Sequence, residues 1–118
     1  MSTKQKGDYG EVVAIKYLQT KGYLIETTNL KFGRFGEIDI VAKKDGITIF
    51  FEVKYRFGDK FGTPEEAITK SKLRKFRRTI DYYCAKNNID FGLIRFDVIA
   101  IIRKETSNQV THYRNVEI

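Results

Sequence analysis

Cysteine, histidine and proline have few places in this chain of 118 residues: cysteine and proline occur once each, histidine once, and tryptophan not at all. A lone cysteine closes no internal disulfide, and with one histidine it cannot complete a Cys/His zinc site. The same scarcity argues against Ser-His-Asp or Cys-His catalysis, because His112 is the only imidazole available as a base. His112 lies in VTHYRNVEI, which reads as a terminal strand, and is expected at the surface. Cys84 falls on the apolar stripe of a helix and is expected in the core. Long apolar runs are also missing. The longest, Val98 to Ile102, is far short of the ~20 residues that cross a bilayer. MSTKQKGDYGE at the N-terminus carries no apolar h-region, so no secretory signal and a cytoplasmic location are expected.

What is present is a globular composition, 42% apolar and 31% charged, at a length suited to one domain, 1–118. Its net charge of +7 points to a polyanionic partner. The charge is unevenly placed: KSKLRKFRR (70–78) holds six basic residues and no acid. Lys70 with Arg74, and Arg74 with Arg78, repel at i,i+4 spacing, which a helix selected only for stability would avoid. A nucleic-acid contact explains this better than a membrane surface or a solvated helix face.

Residues 8–21 have helical period and end at Gly22; 23–30 read as a strand and 31–36 as a loop. EIDIVAK (37–43) and ITIFFEVK (47–54) read as strands joined at Asp45-Gly46, a strong hairpin signal. After a second glycine-rich loop, 55–62, Thr63, Pro64 and Glu66 have capping-box spacing and open a helix that runs to about Lys86. A buried strand follows at 91–102, then a polar turn, KETSNQ, and a last strand, THYRNVEI. The order is α-β-β-β-α-β-β, an α/β class in which three strands form a meander and the second helix crosses to a strand parallel to the third.

With Asp45 and Gly46 as the central turn residues, Ile38, Ile40 and Ala42 face Val53, Phe51 and Ile49 on one apolar side. The other side pairs Glu37 with Lys54, Asp39 with Glu52 and Val41 with Phe50. Like charges opposed across a sheet are destabilising unless something positive lies between them. A hard divalent cation with oxygen ligands resolves the conflict for Asp39 and Glu52, and Lys54 adds charge on the same side. The alternative is a solvated face on which Lys54 bridges Glu37. Glu11 aligns with Ala14, Ile15 and Leu18, so it is either a third carboxylate facing the sheet or the end of an Asp8-x-x-Glu11 capping box.

The loops at 31–36 and 55–62 leave the open end of this hairpin. They interleave Lys31, Arg34, Arg56 and Lys60 with Phe32, Phe35, Tyr55, Phe57 and Phe61. Basic residues there can hold phosphates and aromatics can stack on unpaired bases, or the rings can cap the core.

Asp39 followed by Glu52-Val53-Lys54, with an acid on the preceding helix, resembles the PD-(D/E)xK nuclease superfamily and its restriction-endonuclease-like core. More closely, GDYGEVVAIKYLQTKGY, GRFGEIDIVAKKDG, FFEVKYR, FGTPEEAITKSKLRK and RFDVIAI resemble the YraN family of small bacterial proteins, relatives of archaeal-type Holliday junction resolvases. The proline before the acid is absent; Ile38 stands there. The resemblance implies a mixed sheet flanked by helices and metal-dependent endonuclease cleavage of DNA, branched or structured DNA included, or a nucleic-acid-binding or partner-docking module that keeps the fold without turnover. It implies that Asp39 and Glu52 ligate Mg²⁺ or Mn²⁺ beside the Val53 carbonyl, that Lys54 activates water, and that Glu11 is an outer acid. Lys70 and Lys72, with Arg74 beyond them, hold substrate phosphates in this reading. A homodimer suits a junction substrate, and no membrane partner is expected.

Overall fold

The computed structural model describes residues 2–34, 36–58 and 68–118, with only the main chain at Thr3. Phe35, Lys60, Phe61 and the Thr63–Pro64–Glu66 capping box lie outside the described residues. The elements are α1 (Thr3–Thr20), β1 (Leu24–Lys31), β2 (Glu37–Lys44), β3 (Ile47–Phe57), α2 (Lys70–Asn87), a 3₁₀ turn (Phe91–Leu93), β4 (Ile94–Lys104) and β5 (Ser107–Tyr113). The expected α/β order is therefore present. The five strands lie in sequence order as a mixed sheet, with β3 and β4 parallel and every other neighbouring pair antiparallel.

Strand alternation separates two cores. Ile49, Phe51, Tyr55, Ile99 and Ile101 pack with Ala14 and Leu18 of α1. Phe50, Phe96 and Val98 pack on the other face with Phe76, Ile80 and Cys84 of α2, the cysteine buried as expected. The period of two puts Phe50, Glu52 and Lys54 toward α2 and Phe51, Val53 and Tyr55 toward α1. α1 sits close to the sheet because Gly10 faces Tyr55: a Cβ at Gly10 would meet Tyr55 Cβ at 2.8 Å. Among the described residues no helix is long and apolar enough to cross a membrane.

Boundaries differ from the expected ones at several places: β3 runs on to Phe57, into the segment expected to be a loop, and β4 starts at Ile94, a 3₁₀ turn taking up Phe91–Leu93. α1 begins well before residue 8, because Ser2 and Gln5 form the capping box: Ser2 Oγ accepts from the Gln5 N–H at 3.1 Å, and Gln5 Oε1 from the Ser2 N–H at 2.8 Å. Asp8 and Glu11 are then interior helical residues, which removes the capping reading of Glu11. The helix expected to run unbroken from Thr63 is also corrected. Thr69 is extended (φ −100°, ψ 163°) and caps α2 by accepting from the Lys72 N–H at 3.2 Å.

At the C-terminal end, Lys104 pairs with Ser107 around Glu105, whose φ is 52°. The last strand therefore starts inside the segment expected to be a turn and stops at Tyr113. Its inward positions alternate Asn108, Val110 and His112, so two polar side chains disguise the strand pattern. Residues 114–118 leave the sheet, Val116 donating its N–H to the Phe96 carbonyl at 2.7 Å.

Candidate metal and nucleic-acid site

Glu52 and Lys54 project from β3 beneath Lys72, Lys75 and Phe76 of α2. Together with Asp39 and Glu37 of β2 they line an open cleft of about 340 Å³. The hairpin register is the expected one from Lys44↔Ile47 to Ile40↔Phe51. The ladder then stops. Asp39 does not form a regular cross-strand pair with Glu52; its Oδ2 accepts from the Val53 N–H at 2.7 Å, taking the place of a main-chain carbonyl. Because the N–H and C=O of one strand residue face the same neighbour, the Val53 carbonyl opens on this gap.

β1 is distorted at the same level. Asn29, between the paired residues Thr28 and Leu30, has φ 54°, a left-handed conformation that asparagine adopts more readily than most residues. Alternation along β2 breaks here too. Ile38 packs with the α2-side core while Ile40 and Ala42 pack with the α1 side, correcting the expectation that all three share one apolar face. The period of two along β2 is thus not kept across Asp39, where the ladder to β3 stops.

Glu52 is 7% exposed. Burial, with a hydrogen bond to and repulsion by Asp39, pushes its carboxyl up to about 9, against the pull of Lys54 and Lys72. The Lys54 ammonium beside Lys72, aided by partial burial, holds Lys72 below the ordinary lysine range. Three carboxyl groups (Glu37, Asp39, Glu52) and three ammonium groups (Lys54, Lys72, Lys75) thus share one cleft, and the burial of Glu52 is contrary to the reading of a solvated face on which Lys54 bridges Glu37. The Glu37 carboxylate lies 3.9 Å from Lys31 Nζ instead.

Glu11 approaches from α1. Its Oε1 accepts from Asn29 Nδ2 at 3.2 Å, and burial together with the Asp39 charge raises its pKa. Among the described residues no three Asp, Glu, His or Cys side chains converge as a ligand set, so Glu11 stands outside the pair. The donors that remain, two carboxylates and a main-chain carbonyl, fit a hard cation of the Mg²⁺ type, which keeps several waters and needs only one or two protein carboxylates.

The other anticipated residues divide. Arg34 is exposed beside α2, with Arg74 on the same groove, and Lys70 is exposed at the start of the helix. Arg56 is exposed, donates to the Tyr55 carbonyl at 3.1 Å and adds its charge to that around Lys72. Tyr55 is a core residue, and Phe32 stacks on Tyr82 with ring centres 4.3 Å apart. Phe57 remains exposed, with Lys6 Nζ 5.1 Å from its ring centre.

The expectation that His112 is a surface residue is overturned. Its side chain is 5% exposed, and Nε2 lies 2.7 Å from Oδ2 of the fully buried Asp97. Arg95 Nε (2.9 Å) and the Asn115 N–H (2.9 Å) also donate to Asp97, and Arg95 reaches the Tyr23 hydroxyl at 3.0 Å. Burial would raise the Asp97 pKa, but hydrogen bonds from His112, Arg95 and Asn115 outweigh it and hold the carboxyl below its usual range. The signal was in the sequence: Asp97 is a lone acid in the apolar run FDVIAII, with Arg95 two residues before it on the same side.

A family described as "Uncharacterised protein family UPF0102" matches residues 10–101 of the chain. The chain belongs to UPF0102. A UPF0102 protein of Clostridioides difficile (strain 630) is 43% identical over 115 residues, covering 98% of each chain. One of Sulfurihydrogenibium sp. (strain YO3AOP1) is 39% identical over 115 residues, covering 98% of this chain and 96% of that protein. A UPF0102 protein of Cytophaga hutchinsonii is 44% identical over 101 residues, covering 86% and 88%. The UPF0102 match spans α1 from Gly10 and extends into β4, and so includes Glu11, Asp39, Glu52, Lys54 and the basic face of α2.

Proposed function

We propose that this UPF0102 protein is a Mg²⁺- or Mn²⁺-dependent endonuclease of the PD-(D/E)xK type, hydrolysing phosphodiester bonds in structured DNA in the cytoplasm. The observation that carries the reading is the buried Glu52 carboxyl held against Asp39, with Lys54 in the same cleft. Burying one carboxyl against a second, half-buried acid is costly, and a fold has reason to retain the arrangement where a cation or developing charge uses it.

Asp39, Glu52 and the Val53 carbonyl would hold the cation, which supplies charge neutralisation at the phosphate and makes water more acidic. The bond from the Val53 N–H keeps Asp39 oriented before any ligand arrives. Lys54, flanked by Glu52 and Lys72, is placed to orient the attacking water and to offset charge on the phosphate. Lys72 and Lys75, overhanging from α2, hold non-bridging phosphate oxygens. Glu11, tied to Asn29, sets the field around Asp39.

The test is cleavage of plasmid, flap and four-way-junction DNA with Mg²⁺ or Mn²⁺ by wild type, Asp39→Asn and Lys54→Ala. Cleavage by wild type alone is expected. Equal cleavage by all three would mark a contaminant and end the assignment.

The basic face of α2, which attracts a polyanion with no need for metal, favours a second reading, a nucleic-acid-binding module without turnover. Calorimetric titration with Mn²⁺ separates the two: salt-sensitive DNA binding with no uptake of millimolar metal supports the second.

A further inference from the structure

The cleft accounts for Lys72 and Lys75 but leaves the farther half of the basic helix face unused. Beyond Lys75, a groove of about 590 Å³ is lined, among the described residues, by Arg34, Ser71, Arg74, Lys75, Arg77, Arg78 and Ile118, with no Asp or Glu side chain among those. Arg77 is engaged, its Nε 2.9 Å from Asp81 Oδ1. The loop that brings Arg34 is held against α2. Gly36 has φ 107°, a Cβ there would lie 3.5 Å from Lys75 Cβ, and Thr79 Oγ1 donates to the Gly36 carbonyl at 3.4 Å. Cations from two separate elements thus line one concavity, whose positive field attracts a polyanion.

We propose that this groove is a second phosphate site, which holds the nucleic-acid backbone beyond the bond lying in the cleft. The inference rests on the polyanion part of the functional reading and not on turnover. Lys75 borders both the groove and the cleft, so one strand can run from one to the other. Lys72 and Arg78 are six residues apart on α2, ~9 Å along the helix axis. That span exceeds one phosphate group, so the phosphate in the groove is not the one beside Glu52. Arginine forks and the Ser71 hydroxyl suit phosphate oxygens, with Arg78 and Arg74 one helical turn apart on the groove wall. A lipid surface is disfavoured, because Phe76, Ile80 and Cys84 of the same helix are buried against the sheet and cannot insert. The substrate is therefore a polymer continuing past the cleft, not a mononucleotide.

The test is fluorescence anisotropy of a labelled DNA duplex in EDTA across about 50–200 mM salt, where cleavage plays no part. Arg74→Ala/Arg78→Ala should lower affinity roughly tenfold to a hundredfold and reduce the log–log salt slope by about two. Arg74→Lys/Arg78→Lys should keep most of the slope, and Lys104→Ala, outside the groove, should match wild type. An unchanged slope in the folded alanine variant overturns the site, as does wild-type binding to phosphatidylglycerol vesicles without binding to DNA. Loss of cleavage in Asp39→Asn with an undiminished slope concerns only the nuclease reading.

Discussion

Asp39 Oδ2 accepts a hydrogen bond from the Val53 N–H at 2.7 Å, so a side chain of β2 replaces the main-chain ladder between Glu52 and Lys54. This contact makes Asp39 structural as well as chemical. Asp39→Asn retains an acceptor oxygen and should change stability by less than ~1 kcal/mol while abolishing metal uptake and cleavage. Asp39→Ala leaves the part-buried N–H unpaired and should cost ~1–3 kcal/mol. Urea unfolding alongside Mn²⁺ calorimetry checks both; equal stability of the two variants would show that the bond is not maintained in solution.

Glu52 gives a pH signature of opposite sign to an ordinary salt-bridged acid. Its carboxyl moves from 4.5 to about 9 on folding, because burial and Asp39 disfavour the anion. The folded protein binds that proton more tightly than the unfolded chain. The associated stability is full below about 4.5, falls as pH rises, and is gone above about 9. Metal-free Glu52→Gln should therefore be more stable than wild type at pH 7, by about 2–3 kcal/mol, with a flatter pH profile. Mn²⁺ should raise the Tm of wild type and not of the variant. A variant less stable than wild type at pH 7 contradicts the assignment.

Asp97 runs the other way. Its pKa is depressed below 3.8, so its contribution is complete above that value and is lost as pH falls through the folded-state value. Asp97→Asn leaves Arg95 and His112 without their carboxylate and should cost about 3 kcal/mol at pH 7. The gap to wild type should narrow in acid. Asp81→Asn, breaking the exposed pair with Arg77, should cost under ~1 kcal/mol. Unfolding free energies at pH 7 and pH 3 decide the matter; a gap that is constant with pH would remove the charge from the explanation.

Asn29 separates backbone shape from side-chain contact. Asn29→Gly keeps the positive φ accessible and removes the exposed bonds from Nδ2 to Glu11 and to Thr28 Oγ1, so stability should change by less than ~1 kcal/mol. That bond lowers the Glu11 pKa, and its loss should raise the carboxyl further above its usual range. Asn29→Val adds a β-branched residue at φ 54° and should cost ~1–3 kcal/mol. Carboxyl NMR titration of Glu11 reads the first effect and thermal unfolding the second.

The element order and the hairpin register from Ile40 to Lys44 were legible because they depend on local patterning: a period of two, an Asp-Gly turn, and the helical spacing of Phe76, Ile80 and Cys84. The same patterning brought Asp39 and Glu52 near each other and put Lys54 on the Glu52 side of β3. Helix starts were less legible. A capping box is a short motif, and Ser2-x-x-Gln5 competes with Asp8-x-x-Glu11 until main-chain geometry chooses between them.

Residue types and their spacing by themselves determined an α/β chain with two acids and a lysine on one hairpin and a basic second helix. Tertiary structure decided what those groups feel. The break in the ladder at Asp39, the burial of Glu52 under α2, and the meeting of Asp97 with His112 all arise between separate elements, whereas Arg95 lies only two residues before Asp97. Desolvation and charge coupling depend on distance in space, and spacing in sequence does not encode them. The same holds for the groove, where Arg34, before β2, meets Arg74 and Arg78 of α2.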